Sequence, residues 1–433
     1  MRTFIPCLAV LFLAAPSFAH TMKSNDKEFV AAWNMLALDS IRREKIAPPI
    51  AAQYLAAMHL AMFEAANRSS GTYISQLNIA KDSSFETLQR LHAAAAAHRV
   101  LQEFAPQEIQ QKAETMLHDE SLMSAGSEEL KQLAKVEARR LGETIIAQHL
   151  TDPGTTPPAS IIPTGPGYWI PTPPAFASYL IPGWGQLRPW VLDQANALRP
   201  LGPPALDSTA YAASWDEVKR LGSKTSIERT ETQTETALFW ADGAGTSTPP
   251  GHWNTILTHH LASCDNALVD IARVYAVLNM AMADACISAW ESKWDFYFWR
   301  PITAIREAAR DGNPVTQPDP AWEPLLNTPP FPAYVSGHAA VSGAAADILK
   351  DFFVDRLPVI RVGSESIPTT REYSDFPSVA QEAANSRVYG GIHFNFDGVD
   401  GLLLGRSVGQ TYQAIALRPQ PGSKAAAAGR VCR

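Results

Sequence analysis

The chain has 433 residues, 46% hydrophobic and 18% charged, enough to bury a large core as one big domain or two to three ordinary ones. A formal net charge of -7 excludes a global basic field, so nucleic acid and anionic membrane surfaces are set aside as partners unless a local patch recruits them. Any cationic site must be a focused pocket.

Residues 1–19 carry Arg2, an apolar run and Ser17-Phe18-Ala19, which read as a signal peptide cleaved after Ala19 and predict a secreted or periplasmic protein. No other uninterrupted apolar run reaches membrane-spanning length, so no membrane span is expected. Cleavage would leave His20 at the N-terminus, where amine and imidazole can chelate copper; a histidine left there by chance is the preferred reading. Cys7 leaves with the leader. Cys264 and Cys286 are expected on one continuous helix, too far apart to bridge, so no disulfide framework is expected to support the fold.

Region 20–150 is read as helical, because "EFVAAWNMLALDSIRREK", "IAAQYLAAMHLAMFEAANRSSG", "ETLQRLHAAAAAHRVLQEF" and "SEELKQLAKVEARRLGETIIAQHL" space apolar residues by three and four. Ser83 and Ser127 read as helix starts and Gly71 as a stop. Region 151–205 is dense in Pro, Gly and aromatics, which argues for a long loop packed on the surface or over a pocket rather than a disordered linker. Helical texture resumes over 206–420, with 421–433 as a tail. Strand signals are scarce. The expected fold class is all-α, two packed helical bundles joined through the Pro-rich loop.

Three segments of the second half carry the chemistry. In "KWDFYFWRP", Lys293 and Arg300 are seven residues apart, so a helix through both would place them on one face among large aromatics. A solvated face is the simpler reading of such a pair alone. In "FPAYVSGHAAVSGAAADILKDFF", Ser336, Gly337 and His338 precede a helix whose N-terminus offers free N–H groups to an anion. Gly337 permits close backbone approach, the Ser336 hydroxyl can donate, and His338 can exchange a proton near neutral pH. In "NSRVYGGIHFNFDG", Gly390-Gly391 are expected to turn the chain so that Arg387 and His393 converge, with Asp397 orienting the His393 ring. Three cations, donors and two histidines together suit a tetrahedral oxyanion. The paired His259-His260 and the methionines Met280 and Met282 are read as ordinary core or surface residues.

These segments resemble the superfamily of vanadium-dependent haloperoxidases and type 2 phosphatidic acid phosphatases, whose pattern is K-x6-RP, PSGH and SR-x5-H-x3-D. Here the pattern runs Lys293…Arg300-Pro301, Ser336-Gly337-His338 and Ser386-Arg387…His393…Asp397, with Val335 in place of the family's proline. The resemblance covers Thr234 to Gly409, the N-terminal half sharing only its helical texture. "AWESKWDFYFWRP" and "FPAYVSGHA" are closer to the chloroperoxidases, and "FWADGAGTSTPPGHWN" resembles the segment whose aspartate, here Asp242, pairs with the third-segment arginine.

The resemblance implies a phosphate-competitive vanadate cofactor held by Lys293, Arg300, Ser336, Gly337 and Arg387, with His393 as the vanadium ligand. It implies hydrogen peroxide and halide as substrates, Lys293 polarising the bound peroxide, His338 as acid-base group, and Trp290 with Phe331 lining the halide side. Phe331, seven residues before His338, is the chloroperoxidase-type residue and implies oxidation of bromide and, in a dry pocket, of chloride. Two alternatives stay open: a secreted acid phosphatase that uses a phosphohistidine at His393 on a phosphate monoester, and a non-catalytic oxyanion-binding protein.

Overall fold

The computed structural model describes residues 25–151, 163–264, 266–353 and 359–423. The expected leader, His20, Cys432 and most of the tail lie outside the described residues. Five helices form the N-terminal half: α1 Asp26–Arg43, α2 Pro48–Ser70, α3 Gln89–Leu101, α4 Gln107–Met123 and α5 Glu128–His149. Asn25 and Glu28 close a capping box on α1, Ser127 caps α5, and Gly71 ends α2 in a left-handed conformation at φ 60°. Asp82, rather than Ser83, caps the short 3-10 turn that leads into α3. Helix α4 carries little apolar spacing in the sequence, and the residues it buries are Ile109, Ala113, Glu120 and Ser121.

The second half contains α6 Thr209–Gly222, α7 Glu231–Phe239, α8 Thr248–Leu261, α9 Leu268–Phe296, α10 Pro301–Arg306, α11 Gly337–Phe352, α12 Phe376–Tyr389 and α13 Asn395–Ile415. The strands β1 Ile360–Gly363 and β2 Thr370–Tyr373 make one antiparallel hairpin, Ile360 facing Tyr373. Among the described residues there is no other sheet. The all-α class therefore holds. Helix α2 packs along α9, and one continuous hydrophobic core joins the helices of both halves. By length and composition α9 could cross a bilayer, contrary to the expectation from the sequence, but in this fold it is the central core helix and almost wholly buried.

The Pro-rich segment is packed against the helices. Its Trp169, Trp184 and Trp190 are buried. The N–H groups of Trp190, Val191 and Leu192 donate to the buried Asp284 carboxylate of α9 at 2.7, 3.0 and 3.1 Å. Helices α11 and α13 touch backbone to backbone, since a Cβ on Gly405 would stand 2.1 Å from the Ala340 carbonyl oxygen. That contact holds the start of α11 beside the start of α13, where two of the three motif segments meet.

Two cysteine expectations are corrected. Cys264 lies in the turn between α8 and α9 rather than on a helix shared with Cys286. Cys264 is disulfide-bonded, whereas Cys286 is a free, buried thiol.

Candidate active site

Lys293 occupies the last turn of α9, but the helix does not continue to Arg300. Tyr297 takes a left-handed conformation at φ 53° and ends it, and Arg300 is the extended residue before Pro301 opens α10. The single-helix expectation is thus corrected, although both side chains are fully buried and both lie against the Phe331 ring. The Lys293 ammonium donates to the carbonyls of Pro332, Ala333 and Val335 at 3.0, 2.9 and 2.5 Å. A buried ammonium has three donors to satisfy, so Lys293 clamps the loop before α11 instead of facing the cavity. Arg300 donates Nε to Phe331 and Nη1 to Ile392, and Nη1 lies 3.1 Å from His393 Nε2. Its Nη2 is buried without a partner.

The clamped loop delivers the start of α11. Ser336 is fully buried and its hydroxyl oxygen caps the helix by accepting from Ala339 N–H at 3.4 Å, which leaves its O–H available to donate. Gly337 and His338 follow and line the cavity. A Cβ on Gly337 would come within 3.3 Å of the Trp290 ring, so the bare backbone lets the aromatic wall close over the helix N-terminus.

Helix α12 ends at Gly390, and Gly391 at φ 77° turns the chain against Gly222, whose carbonyl oxygen would sit 2.3 Å from an added Cβ. Arg387 in the last turn and His393 beyond the turn then face one cavity. Arg387 donates Nη1 to the Trp240 carbonyl at 2.7 Å while its Nε has no partner. His393 Nδ1 lies 2.8 Å from Asp397 Oδ2, which also accepts from Phe394 N–H at 3.0 Å. Nδ1–H donating to that carboxylate leaves Nε2 as the lone-pair nitrogen on the Arg300 side.

Asp242 also lines the cavity, but its carboxylate engages His252 Nδ1 at 3.1 Å, and it acts on Arg387 through charge rather than a direct bond. His252 Nε2 meets the Gly363 carbonyl of β1, and its ring stacks on Trp240. His252 stands ten residues after Asp242 in the sequence, and its place between Asp242 and β1 needs a contact no local pattern announces. Trp290 and Phe331 pack with centroids 5.0 Å apart, and Phe331 covers Lys293 Nζ at 5.1 Å and the Arg300 guanidinium at 4.8 Å.

The electrostatics are those of a cation cluster short of negative charge. Burial lowers Arg300 to about 9, reinforced by Arg387 and opposed by Asp397, and lowers Arg387 to about 10, opposed by Asp242. Burial, then Arg300, Lys293 and Arg387, push His393 well below the ordinary histidine range. His338 falls likewise through burial and Arg387, with the Ala241 and Trp240 carbonyls opposing. Both rings are therefore held neutral, and a bound anion would relieve the cluster. The unpartnered Arg300 Nη2, Arg387 Nε and His338 Nε2 are the donors and proton carrier an oxyanion needs, with His393 Nε2 as a nucleophilic or ligating nitrogen. Vanadate or phosphate fits this set.

The cavity measures about 460 Å³. Lys45 and Leu180, from segments the sequence did not connect with the site, also line it.

Residues 273–420 match the family described as the VCPO second helical-bundle domain. Vanadium chloroperoxidase of Curvularia inaequalis is 32% identical over 235 residues, covering 48% of this chain and 38% of that protein, so the match spans well under half of that relative's length. The crystal structure of a bacterial vanadium-dependent iodoperoxidase superposes with a TM-score of 0.76 at 26% identity, covering 91% of this chain and 97% of that one. A holo-type bacterial vanadium-dependent chloroperoxidase superposes with a TM-score of 0.65 over 85% and 91% of the two chains, a likeness of fold at 15% identity.

Proposed function

We infer that this chain, a member of the vanadium haloperoxidase superfamily, is a vanadate-dependent haloperoxidase that oxidises halide with hydrogen peroxide to hypohalous acid and water. The observation that carries this reading is the set of unpartnered donors on Arg300 and Arg387 beside the neutral Nε2 of His393. Arg300, Arg387 and the N-terminus of α11 at Gly337 would hold vanadate, with His393 as its ligand. When bound, vanadate would activate hydrogen peroxide as a Lewis acid.

The chain's own residues bind, orient and move protons. Asp397 fixes the His393 tautomer so that Nε2 is presented unprotonated. Lys293 keeps the loop before α11 in place and contributes positive potential through the Phe331 ring. His338, neutral with Nε2 free, takes a proton from incoming peroxide and returns one to the departing oxygen. Trp290 and Phe331 exclude water from the cation side, which weakens competing hydrogen bonds to a halide. On Phe331 we propose bromide and iodide as substrates and chloride as the demanding one. Protein dialysed free of metal, then given orthovanadate, peroxide and each halide in turn, should oxidise iodide and bromide only when vanadate is present; absence of all three oxidations in loaded protein would refute the reading.

We also propose that the chain is exported, with residues 1–19 removed. The disulfide at Cys264 supports an oxidising compartment. N-terminal sequencing of the natural protein should begin at His20, and recovery of Met1 would contradict it.

A further inference from the structure

We propose that the cavity above the oxyanion site is a built binding site for an organic halogen acceptor, an electron-rich ring bearing one carboxylate, with Lys45 as the carboxylate's contact. This rests on the haloperoxidase reading of the cavity's buried end. Peroxide and halide are small, and Arg387, His338 and His393 suffice for them. The cavity's about 460 Å³ instead falls in the range that encloses a drug-sized molecule.

Its remaining walls are mainly apolar and preformed, with Thr248 and Asn327 as polar exceptions. Ile46 and Pro48 come from the turn between α1 and α2, Leu180 from the Pro-rich strap, and Leu326 and Pro330 from the loop before α11. Leu180 N–H donates to the Pro330 carbonyl at 3.1 Å, joining strap and loop into one wall. Lys45, exposed in that turn, lines the same space and forms no ion pair among the described residues. Asp242 is engaged by His252, and Arg387 would be engaged by the oxyanion, so Lys45 is the cation left for a second anion. An apolar body with one anionic end matches that lining.

Within this space hypohalous acid would transfer its halogen to a ring carbon. The ring's electron pair forms the carbon–halogen bond, the halogen–oxygen bond breaks, and the displaced ring proton leaves with the oxygen as water. Holding the acceptor beside the source would favour its halogenation over escape of the oxidant.

The test is a ligand-observed NMR titration of the full chain, without peroxide, using 4-hydroxybenzoate and its methyl ester. Saturating orthovanadate, or phosphate in a parallel series, blocks the oxyanion site. The wild type should bind the acid about three- to fivefold more tightly than the ester, the size expected of one exposed charge contact. Lys45→Met should abolish that preference and leave ester binding intact, and Leu180→Asp should weaken both. Equal binding of acid and ester by the wild type, no binding of either, or a preference surviving Lys45→Met would overturn the proposal. Triiodide formation by the loaded wild type, which needs no acceptor, reads the haloperoxidase assignment separately: its presence without acceptor binding removes only the acceptor site, and its absence removes the assignment on which the acceptor chemistry rests.

Discussion

Lys293 gives all three N–H donors to loop carbonyls, and burial, then Arg300, with Asp397 opposing, push its pKa below the ordinary lysine value. Its contribution is therefore structural as well as electrostatic. Lys293→Met should leave three buried carbonyls unpaired, costing about 1–3 kcal/mol for each group that water cannot reach. A thermal melt of the vanadate-free variant should show a clear fall in Tm, and an unchanged Tm would return Lys293 to a purely ligand-facing role. His338 predicts a different separation. In His338→Ala, vanadate should still bind, because Arg300, Arg387 and His393 are untouched, while halide oxidation slows by roughly 10²–10⁴-fold through lost proton transfer. Vanadium content and rate measured on one sample check both halves. The convergence of Arg300, Arg387 and His393 was legible because each segment carried its chemistry in a few adjacent residues. The occupation of Lys293 was not, since its partners are backbone carbonyls whose position depends on the fold.

At the scale of elements, the site depends on how closely α11 and α13 approach. Gly405→Ala would force a methyl into the Ala340 carbonyl, and overpacking of this kind typically costs about 1–3 kcal/mol. Chemical denaturation should show that loss together with weakened vanadate affinity, because the start of α11 moves relative to His393; unchanged affinity would mean that the two helices separate without disturbing their shared end. The hairpin has its own strap. Glu365 accepts from Arg42 of α1 at 2.7 and 3.0 Å and from Ser247 N–H and Oγ. Burial alone would raise its carboxyl, and these donors outweigh burial to bring it from 4.5 to about 2. The folded chain thus binds fewer protons than the unfolded one between these values. The stabilisation is fully present above 4.5 and is lost as pH falls through 2. Melting from pH 6 downward should show wild type and Glu365→Gln converging in acid, with a constant gap contradicting it; partial exposure of the pair keeps the effect small.

Across the whole molecule, the all-α class followed from spacing that repeats over many residues, whereas single-residue conformations escaped notice. Nothing in "DFYFWR" marks Tyr297 as the left-handed stop that separates Lys293 from Arg300. The turn after α8 that holds Cys264 interrupts the apolar pattern only briefly, so it leaves no clear mark in the sequence. Lys45 lines the cavity through packing of the α1–α2 turn against segments nearly three hundred residues away, and no local sequence signal encodes such a contact.

The donor set suits vanadate and phosphate alike, so the direct measurement is the rate of bromide oxidation by peroxide as orthovanadate is added to metal-free protein. The account predicts no rate without vanadate, a linear rise that saturates at one vanadate per chain, suppression by excess phosphate, and no saturating response in His393→Ala. Phosphate-ester hydrolysis by the metal-free chain, inhibited by vanadate and unaccompanied by bromide oxidation at any loading, would contradict it.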